Sequence, residues 1–244
     1  MQFKQLLQST STNQYQKFHF GISLILLSQL IRMIAEEDSK LLRSIHSDTQ
    51  PVVQKYVQEI LQKEVSINTI LDSLDKCNYN GDTSNYYWVL DPIDGTKGFI
   101  SNARFAVGLA LLHQGSVVLG VVACVNLPYY HTFPKEVEID GGCLAVAIHG
   151  HGSTLFDLYS DRFRVLSLPS PTPHLYSVVT SKQPCYHSPT IPKLCHRCGL
   201  RESILESDSM CKYIVVAAGY ACMYYREALQ SSYRVCCVIL ILVL

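Results

Sequence analysis

Charge is scarce in this sequence. Only 16% of its 244 residues are charged, and 20 Lys plus Arg face 20 Asp plus Glu, so the formal net charge is zero. Without a basic excess there is no electrostatic footprint for a nucleic-acid polymer or an anionic membrane surface. An anionic ligand must then be held by a local site or a metal. Long apolar runs are lacking too. The stretch 18–34 is broken by Ser28, Gln29 and Arg32, so it falls short of the ~18 or more uninterrupted apolar residues of a membrane span and reads as a buried helix or strand. No secretory signal is visible, because the early apolar run 20–27 sits behind a polar segment and lacks a small-residue cleavage site. Residues 1–18 are rich in Gln, Ser and Thr, have no Arg, and predict disorder or a loose helix rather than a transit peptide. These absences predict an intracellular protein, cytoplasmic by default, with an organelle left open. Internal repeats are missing as well.

What is present includes 10 cysteines, read as reduced and mostly buried thiols. Cys195 and Cys198 form a C-x-x-C with Cys185, His187 and Cys211 not far away in sequence, but no second C-x-x-C pair completes a zinc pattern. Composition is 48% hydrophobic, enough for a sizeable core in one large or two smaller domains.

The most informative stretch runs from Trp88 to Phe99. Three apolar residues, Trp88-Val89-Leu90, read as the end of a buried strand. Pro92 and Gly95 are expected to stop strand pairing and force a tight turn. Asp91 and Asp94 are thereby held close together. Two close carboxylates repel unless a cation sits between them or one keeps its proton, and hard cations such as Mg²⁺ prefer oxygen ligands. A helix-capping acidic turn is the plainer alternative. Upstream, Glu36, Glu37 and Asp38 follow another apolar run, again a buried element ending in acids.

Elsewhere, residues 51–76 carry apolar side chains at three- and four-residue steps and predict a helix with Pro51 in its first turn. Residues 105–112 and 116–125 predict two strands of a hairpin around His113-Gln114-Gly115, ended by Asn126-Leu127-Pro128. A further strand is expected over 143–148 and a turn at 150–153. The Pro-rich segment 169–173 reads as a linker, residues 176–180 as strand-like, and residues 209–225 as a strand-turn-strand around Gly219. An apolar tail closes the chain.

The strings Asp91-Pro92-Ile93-Asp94-Gly95-Thr96-Lys97-Gly98-Phe99 and Ala35-Glu36-Glu37-Asp38-Ser39 resemble the inositol monophosphatase superfamily. With residues 119–128, Gly142-Cys143-Leu144 and Asp208-Ser209-Met210-Cys211-Lys212-Tyr213, they look most like its 3′(2′),5′-bisphosphate nucleotidase branch of plant and fungal type. The resemblance covers about residues 34–229. It implies an α+β to α/β class, a layered αβαβα sandwich with an incomplete C-terminal domain. The implied division is an atypical segment 1–33, a metal-binding domain 34–170 and a partial α/β domain 171–244 with a divergent apolar tail.

The resemblance further implies a lithium-sensitive, Mg²⁺-dependent phosphatase that removes the 3′-phosphate of adenosine 3′,5′-bisphosphate, or acts on its sulfated precursor, through metal-activated water. A relative that binds metal or nucleotide without turnover, and an inositol phosphate phosphatase, remain open alternatives. Glu36, Asp91, Asp94 and the carbonyl of Ile93 would be metal ligands, with two or three ions in the family. Thr96 and Glu36 would activate the water, and Gly95, Thr96, Ser209, Lys212 and Arg226 would bind substrate. The implied partner is a small nucleotide, with no nucleic-acid polymer and no membrane, on a monomer. The D-P-I-D-G-T spacing does not fit the D-x-D-G-T string of haloacid-dehalogenase-type phosphatases. Two features of the family are missing. No Asp occurs in residues 1–33, and Trp88 is the only Trp, so the late Trp-Asp-x-Ala-Ala motif is absent. The second metal site is therefore expected to be incomplete, as in a truncated product.

Overall fold

The computed structural model describes residues 32–35, 39–44, 49–80, 83–127, 129, 141–167, 177–181, 190–199 and 204–225. They fall into two units, residues 1–92 with 109–116, and residues 93–108 with 117–244. Helices and strands mix in the expected α/β manner.

In the first unit, β1 (Met33–Ala35) pairs parallel with β2 (Tyr86–Asp94), placing Ala35 opposite Leu90. The other side of β1 is closed by the segment after the helices, where the N–H of Ala35 donates to the carbonyl of Cys77 at 2.9 Å. Three helices lie between these strands: α1 (Ser39–Ser44), α2 (Thr49–Leu61) and α3 (Ile67–Lys76). Leu42, Val57, Ile70 and Leu71 form their shared core, with Val53, Leu61 and Leu74 packed around it. The single helix expected over 51–76 is thus two helices. Gln62 turns left-handed (φ 49°), which ends α2, and Ser66 caps α3 by accepting from the N–H of Thr69 at 3.1 Å.

A second correction concerns Pro92. The strand does not stop there, because β2 continues through Pro92 and Ile93 to Asp94. Proline's fixed φ lies within the extended region, so it is tolerated wherever its missing N–H is not needed for pairing. The break comes at Gly95. Strands β3 (Phe105–His113) and β4 (Ser116–Val125) follow as expected. They are joined by Gln114 and Gly115, both left-handed (φ 52° and 76°), the conformation of a two-residue hairpin turn.

In the second unit, β4 continues antiparallel into β5 (Gly142–Ile148), β6 (Gly152–Asp157) and β7 (Phe163–Leu166). A short helix, α4 (Thr96–Ile100), follows β2. A separate parallel sheet has β8 (Val178–Thr180) between β9 (Ile204–Glu206) and β10 (Met223–Tyr224). The expected linker 169–173 lies outside the described residues. Side-chain alternation along β8 builds two cores. Val178 packs against Cys195 on α5 (Thr190–Cys198), and Val179 packs against Val215 on α6 (Cys211–Ala217) and against Ala221. Helix α6 replaces the first strand of the expected strand-turn-strand. Its β-branched content suggested a strand, but Cys211, Ile214 and Val215 are buried at helical spacing. No described helix is long and apolar enough to cross a membrane.

Candidate active site

Asp91, Ile93 and Asp94 lie among the last four residues of β2, Asp91 buried and the other two half-buried. Gly95 then reverses the chain with φ 89° and ψ 48°, and Thr96, which is exposed, opens α4. Only glycine enters this conformation without strain. A Cβ on Gly95 would also lie 2.8 Å from the Cβ of Ser209. Gly98 is constrained in a different way, since a Cβ there would collide with the carbonyl oxygen of Arg104. The glycines of the acidic string are therefore what lets two distant segments close on it.

The segment that closes on Gly95 is Ser207–Lys212. Ser209 is a non-glycine residue at φ 60°. Its hydroxyl accepts from the N–H of Cys211 at 3.3 Å. The next main-chain N–H, that of Met210, donates to Oδ2 of Asp94. Lys212, buried at 8% exposure, donates its amine to the Ser209 carbonyl at 2.8 Å. The structure thus joins Asp94, Gly95, Ser209 and Lys212, four of the residues singled out from the sequence, in one cluster. Glu36 and Arg226 lie outside the described residues.

Three contributors were not foreseen. The Met210 donor belongs to the main chain, which no side-chain motif reveals. Arg104 is buried beside the thiols of Cys211 and Cys124, and that burial lowers its pKa. Burial likewise pushes the Cys124 thiol well up. Asn126, fully buried and left-handed at φ 61°, donates its side-chain amide to the Ala103 carbonyl at 3.0 Å. Asn126, directly after β4, therefore pins the loop leading to Arg104. Asn is among the few residues that tolerate this conformation, which was the available signal.

Among the described residues, no three His, Cys, Asp or Glu side chains converge on one point. The described donors are nevertheless all oxygens, two carboxylates and a main-chain carbonyl, the chemistry that fits a hard divalent cation. One of the two, Asp94, is held by a main-chain donor, as hydrogen bonds from neighbouring groups commonly hold a ligating carboxylate.

A family model described as the inositol monophosphatase family matches residues 8–238, further on both sides than the motifs alone reached. The 3′,5′-bisphosphate nucleotidase 2 of Arabidopsis thaliana is 32% identical over 233 residues, covering 88% of this chain and 66% of the relative. The 3′(2′),5′-bisphosphate nucleotidase of Dictyostelium discoideum is 31% identical over 210 residues, covering 84% and 61%. The chain thus spans a little under two thirds of the length of these relatives. Among solved structures, CysQ from Bacteroides thetaiotaomicron matches at 22% identity with a TM-score of 0.43, over 84% of this chain and 73% of that one.

Proposed function

This chain belongs to the inositol monophosphatase family, and on that premise we propose that it is a metal-dependent phosphatase acting on a small phosphorylated nucleotide. The proposed reaction removes the 3′-phosphate of adenosine 3′,5′-bisphosphate, giving AMP and inorganic phosphate. The observation that carries this reading is the closure of Ser209 and Met210 on Gly95 and Asp94. It joins the acidic string of β2 to the string Asp208–Tyr213, which resembles the nucleotidase branch.

Glu36, Asp91, Asp94 and the Ile93 carbonyl are the proposed ligands of Mg²⁺. Glu36 directly follows Ala35, whose strand partner is Leu90, the residue before Asp91. An ion held by these residues would supply positive charge near the phosphate and lower the pKa of a water there. Thr96, exposed at the start of α4, and Glu36 would hold that water and take up its proton. Ser209 and Arg226 would bind the nucleotide, since guanidinium suits phosphate by charge and fork geometry.

The test is release of phosphate from adenosine 3′,5′-bisphosphate with and without Mg²⁺, against an Asp94→Ala variant. Metal-dependent release well above that variant supports the reading, and release at the variant's level overturns it. A higher kcat/KM for an inositol monophosphate than for the nucleotide would move the substrate assignment.

A further inference from the structure

Lys212 is a buried cation, and it spends its charge on its own neighbourhood. A buried ammonium is costly unless it is hydrogen-bonded. Here the amine donates to the Ser209 carbonyl at 2.8 Å. It also lies 5.0 Å from the ring centre of Tyr213 and 5.4 Å from that of Tyr224, within cation–π range. The residue it holds is under backbone strain. Ser209 sits at φ 60°, a conformation disfavoured for a residue that bears a side chain. That left-handed turn rotates the following peptide so that the Met210 N–H meets Asp94.

We propose that Lys212 is a positioning residue for Asp94. By clamping the Ser209 carbonyl it keeps the turn left-handed, so that the Met210 N–H stays aimed at the carboxylate and the carboxylate is oriented for a cation before any nucleotide arrives. The inference rests on Asp94 being a cation ligand, as proposed above. It separates from the simpler role expected of Lys212, a direct contact to the nucleotide. A lysine that only touched the nucleotide would change nucleotide affinity and leave cation affinity alone.

The experiment titrates Mn²⁺, read by electron paramagnetic resonance, into the full chain without nucleotide, using wild type, Lys212→Met, Lys212→Arg and Asp94→Asn. Amide exchange at Met210 is followed in parallel. Lys212→Met is expected to weaken Mn²⁺ binding about 10-fold, the usual size of a lost outer contact to a ligand, and to speed exchange at Met210. Lys212→Arg, which keeps a donor and the charge, recovers part of both. Unchanged Mn²⁺ affinity in Lys212→Met, with Asp94→Asn impaired, overturns the inference while leaving the cation reading intact. Equal Mn²⁺ affinity in wild type and Asp94→Asn removes the cation reading itself, and the inference with it. If Lys212→Met does not fold, Tyr224→Leu withdraws one ring from the ammonium. It is expected to weaken Mn²⁺ binding about 2- to 5-fold, the size of one lost cation–π contact to the ammonium, and no change there overturns the inference.

Discussion

The main-chain N–H of Met210 donates to Oδ2 of Asp94 across 116 positions of sequence. A side-chain carboxylate held by a main-chain donor separates two effects that mutation usually mixes. Asp94→Ala removes the charge and leaves the Met210 N–H without this acceptor, so it is expected to cost about 1–3 kcal/mol of stability as well as activity. Asp94→Asn keeps an acceptor oxygen and loses only the charge. Its urea midpoint should stay near wild type while the proposed Mg²⁺-dependent phosphate release falls by about two to three orders of magnitude, the scale on which preorganised charge acts. Equal destabilisation by both variants would show that the hydrogen bond contributes nothing to folding.

Gly95 and Gly115 provide a matched comparison. Both are left-handed, at φ 89° and 76°, but a Cβ on Gly95 would sit 2.8 Å from Ser209 Cβ whereas nothing lies within 4 Å of one on Gly115. Gly115→Ala should cost only the backbone strain, about 1–2 kcal/mol. Gly95→Ala adds overpacking against Ser209, a further 1–3 kcal/mol or so, and should also disturb the turn that carries Met210. Urea denaturation of the two variants, with phosphate release for each, checks both the ordering and the selective loss of function at Gly95.

The acidic string was legible because its chemistry is local: two aspartates, a left-handed glycine and a helix-opening threonine within six positions. The partner of that string was legible only as side chains. Ser209 and Lys212 were picked out, but the group that reaches Asp94 is a peptide N–H, and its direction depends on a left-handed serine that nothing in the residue pattern marks. Secondary structure failed where two signals compete. Lys212–Val216 has the β-branched, aromatic look of a strand, yet a buried residue at each of 211, 214 and 215 places the segment on a helix. Pro92 misled in the opposite direction, because it prevents pairing only through an N–H that an extended chain does not always use.

Asp75 gives a pH dependence of definite sign. The Ser39 hydroxyl and the Arg43 guanidinium hydrogen-bond its carboxylate and hold its pKa below the ordinary value. The Arg43 Nη2 to Asp75 Oδ2 distance is 2.9 Å, tying α1 to α3. A depressed carboxylate stabilises the fold above its unfolded pKa, near 3.9 or so, and the contribution disappears as pH falls through the lower folded value. Both side chains are nearly half exposed, 49% and 45%, so solvent screening keeps the effect below about 1 kcal/mol. The difference in stability between wild type and Asp75→Asn should be present at pH 7, shrink as pH is lowered below the ordinary aspartate range, and diminish at high salt. A difference that grows on acidification would contradict the assignment.

The break between α2 and α3 is the most local feature that periodicity concealed, and it is testable at one atom. Apolar spacing runs through 51–76 without interruption, but the main chain does not. Gln54 and Gln58 each donate a side-chain amide to the Val65 carbonyl, at 2.9 and 3.0 Å, folding the connection back onto α2. Ser66 then sits in extended geometry (φ −74°, ψ 154°) and its hydroxyl takes the N–H of Thr69. The helix it opens supplies Ile70 and Leu71 to the core shared with Leu42 and Val57. Loss of the cap is therefore passed to packed side chains and is not absorbed by fraying. Ser66→Ala is expected to lower stability by about 1 kcal/mol, and Ser66→Asp, which keeps a cap acceptor, to leave it within a few tenths or so. Urea midpoints for the pair decide the matter. If Ser66→Ala unfolds at the wild-type midpoint, the hydroxyl is not the cap, and the end of α2 at Gln62 alone sets the break.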